Sequence, residues 1–255
     1  SFPGIDYGSF RKPWMARSMA LSMRGAAHLL PVHRSLERFT NDFSNFGQRD
    51  QGYAHFVNGT AESTAIPYGF DLRLWNSTTQ DRLPRSVVCI ATGAVYGNAV
   101  HFRKGVDLII EVAQSLQDHR FTIIGANDPG SYKDLPKNIE VIGKCSPKKV
   151  SGILATHTIY AQPSVMEGFP NALCEAMLAG CLPVVSNVTS MPEIVGPSGR
   201  VVRERSTAAL AAAITQLSLL SADDQALLRA KASAQVAHFT MERRVDALVK
   251  VINLE

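Results

Sequence analysis

Two glutamates eight residues apart, Glu167 and Glu175, are the first chemistry the chain offers. The run from Ala161 to Gly180 (AQPSVMEGFPNALCEAMLAG) reads as a strand end, then a loop carrying Glu167, Gly168, Phe169 and Pro170. A helix follows, with Asn171 expected as its N-cap and Gly180 as its stop. On that helix Leu173, Met177 and Gly180 share one face, and Glu175 lies about 200° around from Leu173. A carboxylate in the first turns of a helix after a parallel strand sits near the mouth where ligands bind. It can accept two hydrogen bonds from a vicinal diol such as a ribose. Glu167 lies in a glycine-containing loop, where backbone N–H groups can come close to a ligand. An isolated pair of glutamates is more often a dipole-stabilising helix residue and an ordinary loop residue.

Cations supply the second candidate. His101-Phe-Arg-Lys-Gly105 stands ahead of a helix expected over 106–117, so Arg103 and Lys104 oppose its macrodipole at roughly 0.3–1 kcal/mol each. An anion reverses that sign, because a diphosphate would be held by the helix N–H groups and both cations together. The plain alternative is a solvated basic loop. Gly93-Ala-Val-Tyr-Gly97 follows the first strand of the same region, where phosphate approaches backbone in such folds. Its two glycines are four apart, which is not a GxGxxG, and alone the signal is weak. The seven histidines show no triad spacing, and Ser164 and Ser186 have no nucleophile elbow around them. Cys89, Cys145, Cys174 and Cys181 form no CxxC pair and have no histidine at zinc-ligand spacing, so no metal site is expected and the thiols read as reduced and cytosolic.

The elements that must position these residues begin near Val87. Apolar runs at 87–91, 121–125, 139–142, 158–161 and 182–186 alternate with amphipathic stretches at 105–117, 146–155 and 171–179. Continuous apolar strands separated by helices argue a Rossmann-like α/β fold, a parallel sheet with helices on both faces. Ala/Leu-rich helices at 206–219 and 222–237 follow, and a last one starts near Met241. Ahead of this, 13–24 reads as a helix with Pro13 in its first turn, 28–33 as a short strand, Ser35-Leu-Glu-Arg as the start of a helix, and 41–64 as irregular. The expected organisation is a truncated second Rossmann domain over 1–68, a linker over 69–84, the main domain over 85–238, and a C-terminal helix over 239–255 that can pack back on the N-terminal part.

A length of 255 residues fits one large domain or two small ones, and 45% apolar with 19% charged residues is an ordinary globular composition. No apolar run approaches ~18 residues. The charge balance, 26 − 22 = +4, suits small anionic ligands and gives no case for nucleic acid. The chain opens Ser-Phe-Pro-Gly, without initiator Met or signal peptide, and is expected to be cut from something longer.

Taken together, these residues resemble the nucleotide-sugar glycosyltransferases of group 1, or family 4, which have two Rossmann domains in the GT-B arrangement. The likeness rests on EGFPNALCEAMLAGCLPVV from Glu167, Lys104-Gly105-Val106-Asp107, Pro67-Tyr-Gly-Phe-Asp71, Ile139-Glu-Val-Ile-Gly143 and Pro192-Glu193-Ile194. It implies a donor half holding a nucleoside diphosphate sugar of UDP, GDP or ADP type, a retaining transfer, no catalytic metal and no further cofactor. Glu175 would bind the ribose, and Lys104 with Arg103 the diphosphate. Glu167 and the backbone of Gly168, Phe169, Pro170 and Asn171 would contact the donor sugar and leaving phosphate. Gly93 would join the donor site, and Ile142 and Gly143 would lie beside the base. The implied acceptor is a glycan or a lipid-linked sugar. Peripheral contact with the inner face of a membrane is compatible with Arg11, Lys12, Arg17 and Arg24, though a solvated helix face explains them too.

Departures from the pattern are specific. Ala94 stands where many members carry arginine, Pro3 where a sugar-contacting histidine is frequent, and Thr189 and Ser190 where two glycines are frequent. Much of the acceptor domain, with its glycine-rich loop, is expected to be missing. The competing readings are a nucleotide-sugar binding module without turnover, the donor half of a split enzyme, and a nucleotide-sugar epimerase on the same scaffold.

Overall fold

The computed structural model describes residues 12–43, 49–75 and 81–253, so Pro3 and Arg11 lie outside the described residues. Helix α1 (Pro13–Gly25) starts on the proline, whose missing N–H leaves no first-turn bond unmade. Residues 28–33 are not a strand. Leu29 makes one bridge to Ser63, and Pro31 has no N–H to extend a ladder. Ser35-Leu-Glu-Arg yields a single 3-10 turn over Arg34–Leu36 rather than a helix. The stretch expected to be irregular, 41–64, contains a strand: β1 (Phe39–Asn41), which starts just ahead of it, pairs antiparallel with β2 (Arg49–Gln51) inside it, and Thr40 Oγ1 donates to the opposite Asp50 at 3.0 Å. The expected linker also carries structure. Phe70 is buried, the short helix α2 (Leu72–Trp75) buries Trp75, and the first sheet strand already begins at Leu83.

The sheet itself contains β3 (Leu83–Ile90), β4 (Arg120–Ala126), β5 (Ile139–Gly143), β6 (His157–Gln162), β7 (Leu182–Ser186) and β8 (Arg200–Val202). All six are parallel, in the order β5-β4-β3-β6-β7-β8. Every residue of β6 and β7 is buried, as expected for central strands with helices on both faces. The helices are α3 (Ala99–Arg103), α4 (Val106–Ser115), α5 (Pro147–Thr156), α6 (Asn171–Leu178), α7 (Met191–Val195), α8 (Thr207–Ser218), α9 (Ala222–Val236) and α10 (Met241–Ile252). Helices α4 and α8 pack together on one face, and α5, α6 and α9 on the other.

This order creates a switch point. The chain winds outward from β3 through β4 to β5, then returns to lay β6 on the other side of β3. The loops leaving β3 and β6 therefore diverge, and the crevice between them is where such sheets take ligands. Beyond the sheet, Phe70 N–H donates to Phe239 O, and Arg244 Nη1 on α10 donates to Ile66 O and Pro67 O at 3.0 and 2.6 Å. The C-terminal helix thus lies against residues 66–70.

Candidate active site

Lys104 and Glu167 meet at the switch point. Lys104 Nζ donates to Glu167 Oε1 at 2.8 Å, with side chains 19% and 9% exposed. The segments carrying them are zipped together, because Val165 N–H donates to Arg103 O at 2.9 Å. Gly105 makes that approach possible. It has φ +68°, and a Cβ there would lie 2.2 Å from Pro163 O. The glycine of the Lys-Gly pair is therefore a packing requirement as well as a break between α3 and α4.

The expected clash of Arg103 and Lys104 with a helix dipole is not what the fold contains. Both residues end α3, Lys104 as its C-cap, so their charges run with that macrodipole. The five-residue helix between Gly97 and Gly105 was too short for periodicity to reveal. Among the described residues the Arg103 guanidinium has no hydrogen bond or ion pair, and it is half-buried. Asp107, next in the same motif, is spent on Arg205 at 2.6 Å, tying α4 to the loop before α8.

Glu175 sits on α6, a helix whose other central residues are nearly all buried. Its carboxylate has no hydrogen-bond partner among the described residues, and burial pushes its pKa up to about 7. Charge on Glu167 and on Glu175 both help drive the Tyr160 hydroxyl well above its usual range, after burial itself. Glu175 thus lies on the helix that follows directly from the loop carrying Glu167. Asn171 is the first residue of α6 and not its cap. Pro170 takes that position, and the Asn171 N–H goes to Phe169 O at 3.0 Å. Gly180 stops the helix with φ +80°, as expected.

Other predicted residues take clear positions. The Phe169 ring packs edge-on to Tyr68 and Phe239 and stacks on Phe70, so only its backbone is open to a ligand role. A Cβ on Gly168 would meet nothing within 4 Å, so the glycine leaves open space beside Glu167. Gly93 is closed on itself: its N–H donates to Gly125 O and its carbonyl accepts from Asn98 Nδ2, while Ala94 N–H turns back to Ala91 O. Ile142 and Gly143 end β5, half-buried, with Gly143 against Pro129. Glu193 of the Pro-Glu-Ile segment accepts from Arg34 at 2.9 Å and lies 3.5 Å from His33.

Three side chains escaped sequence reasoning. Gln162, on the last residue of β6, donates to Glu167 Oε1 at 2.9 Å, and Tyr160 donates to Gln162. From the N-terminal segment, buried Asn41 donates to Val165 O at 2.7 Å. Polar residues inside an apolar strand were the available signal for the first two. Burial holds the Cys89 thiol up to about 12 and Cys181 to about 11, which keeps both out of nucleophilic chemistry. Among the described residues no group of acidic, His and Cys side chains is arranged to hold a metal, and no helix is long and apolar enough to cross a membrane.

A six-stranded parallel sheet with helices on both faces and the Lys104–Glu167 pair at its switch point defines a Rossmann-type fold. The family model described as glycosyl transferases group 1 matches residues 90–219, and the chain belongs to that family. It is 34% identical over 116 residues to O-antigen chain mannosyltransferase B of Escherichia coli, a match covering 46% of this chain and 30% of that protein. Its fold is similar to sucrose-phosphate synthase from Thermosynechococcus elongatus, with TM-score 0.74 and 16% identity over 95% of this chain and 62% of that one. It is also similar to Anabaena HepE in complex with UDP and glucose, with TM-score 0.73 and 15% identity over 94% of this chain and 67% of that one. These are GT-B glycosyltransferase architectures, and at such identities the likeness concerns the fold. The matched stretches span 30% and 38% of the first curated relatives' own lengths.

Proposed function

We propose that this chain holds the donor side of a retaining glycosyltransferase that takes its sugar from a nucleoside diphosphate sugar and needs no catalytic metal. The observation that carries the reading is Glu175, a carboxylate with no hydrogen-bond partner among the described residues, on the helix that follows the loop holding the Lys104–Glu167 pair. A half-buried carboxylate without a donor is poised for two ribose hydroxyls. Lys104, with Arg103 beside it, would neutralise charge growing on the leaving diphosphate, an interaction that strengthens toward the transition state. Glu167 and the backbone of residues 168–171 would border the sugar, whose transition state has oxocarbenium character. The proposed acceptor is a glycan or a lipid-linked sugar, met in the cytoplasm or at the inner face of a membrane.

Calorimetry with UDP, GDP and ADP tests this directly. One of them is expected to bind, and Glu175→Ala to weaken it by ~1–3 kcal/mol. Hydroxyl donors favour the ionised carboxylate, so affinity should rise with pH through about 7 and binding should release a proton below it. Equal affinity in parent and variant would remove Glu175 from the ribose. A second reading, binding without turnover, draws on the closed loop after β3, whose Gly93 and Ala94 N–H groups are already spent. Donor hydrolysis by the full-length protein separates the two.

A further inference from the structure

Tyr160 and Gln162 occupy alternate positions of β6 and so face the same side of the sheet. Both are deeply buried, at 0% and 2% exposure. Tyr160 Oη donates to Gln162 Oε1 at 2.9 Å, Gln162 Nε2 donates to Glu167 Oε1 at 2.9 Å, and Lys104 Nζ donates to that same oxygen at 2.8 Å. The chain of bonds runs from a strand in the middle of the sheet to a carboxylate on a loop.

A buried hydroxyl must donate to something, and here the acceptor is the Gln162 carbonyl oxygen. That bond selects one orientation of the carboxamide, with its NH2 toward Glu167. The flipped amide would set a carbonyl oxygen against a carboxylate, two acceptors with no proton between them. A second cation at position 162 would compete with Lys104 for Glu167. An apolar residue would leave the carboxylate with one anchor and the Tyr160 hydroxyl with none. A neutral donor, oriented from behind, holds the carboxylate while leaving Lys104 as its sole cation among the described residues.

We propose that Gln162, oriented by Tyr160, is a positioning residue that fixes the loop carboxylate of Glu167 and, through it, the place of the Lys104 ammonium. Its relevance to sugar transfer rests on the donor-site reading above.

Lys104 reactivity tests the relay without any donor. The full chain is treated with trace acetic anhydride, and acetylation of Lys104 is read by mass spectrometry against exposed Lys148 and Lys149 on α5 as internal references. In the parent Lys104 should react more slowly than the references. Gln162→Met should speed Lys104 roughly tenfold relative to them, the scale of one charge-assisted hydrogen bond. Tyr160→Phe, which keeps the ring and removes one oxygen, should shift it the same way by a smaller factor, and so reports even if the first variant folds poorly. Unchanged relative reactivity in both variants, with parent-like thermal midpoints, overturns the positioning role. If Lys104 speeds up in the variants but millimolar UDP, GDP and ADP all fail to shield it in the parent, positioning stands and the donor-site reading falls.

Discussion

In the sheet body, residues 83–236, stability is spread over many apolar contacts: β6 and β7 are buried at every position, and residues of α4, α6 and α8 complete the same core. The described N-terminal segment, residues 12–43 and 49–75, is fastened differently. Helix α1 has no buried residue, and β1 and β2 share only three residue pairs. Its attachments are separate points: Asn41 on Val165, Arg34 on Glu193, residues 66–70 on Arg244 and Phe239, Leu74 O on Ser151, and the buried rings of Phe43, Phe70 and Trp75 against the core. A single substitution in the body is shared among neighbours, whereas one in the segment removes much of a whole attachment. One attachment, Asn41, grips the loop that carries Glu167, so the weakly held region reaches the candidate site through a hydrogen bond.

Gly105→Ala should cost most, about 3–4 kcal/mol in denaturant unfolding, because a left-handed backbone and a Cβ against Pro163 O act together. A loss below 1 kcal/mol would mean that the 103–105 and 163–165 segments part easily. Asn41→Ala comes next at about 2 kcal/mol, from losing its bonds to Val165 O and from Phe43 N–H. Proteolysis of the N-terminal segment should accelerate while sheet amides keep their hydrogen-exchange protection, and equal loosening of both would erase the contrast between the regions. Glu175→Gln should be pH-dependent. The folded carboxyl titrates near 7 against about 4.5 when unfolded, so the folded state binds more protons between those values and parent stability falls as pH rises through them. The variant should gain about 1–2 kcal/mol at pH 8 and nothing at pH 4, and a gain independent of pH would contradict burial as the cause. The smallest effect is expected for Thr189→Gly. Thr189 has φ +47° and a buried hydroxyl without a partner among the described residues, so glycine should stabilise by about 0.5–1 kcal/mol in thermal unfolding.

Thr189 also shows what a resemblance can carry. The family pattern of two glycines before Pro-Glu marked the position as unusual, and the fold supplies the reason in its left-handed backbone. The five apolar runs were legible because strands covered on both faces must be continuously hydrophobic. β8 was not, since a three-residue edge strand beginning with Arg200 leaves no such run. α3 was hidden for a similar reason. With it went the sign of the dipole effect on Arg103 and Lys104, which depends on where one short helix ends.

Local sequence alone determined the parallel sheet, the loop–helix unit from Glu167 to Gly180, and which charged residues flank the crevice. These follow from period, run length and turn chemistry, all properties of near neighbours along the chain. Tertiary structure decided which of the two glutamates is paired and which is left raised to about 7, and it brought Lys104, Gln162 and Tyr160 to one carboxylate. It also decided that Asn41 would hold the same loop from the far end of the chain. Charge state and hydrogen bonding depend on desolvation and on neighbours across space, and those neighbours here lie 63 and 124 residues apart in sequence.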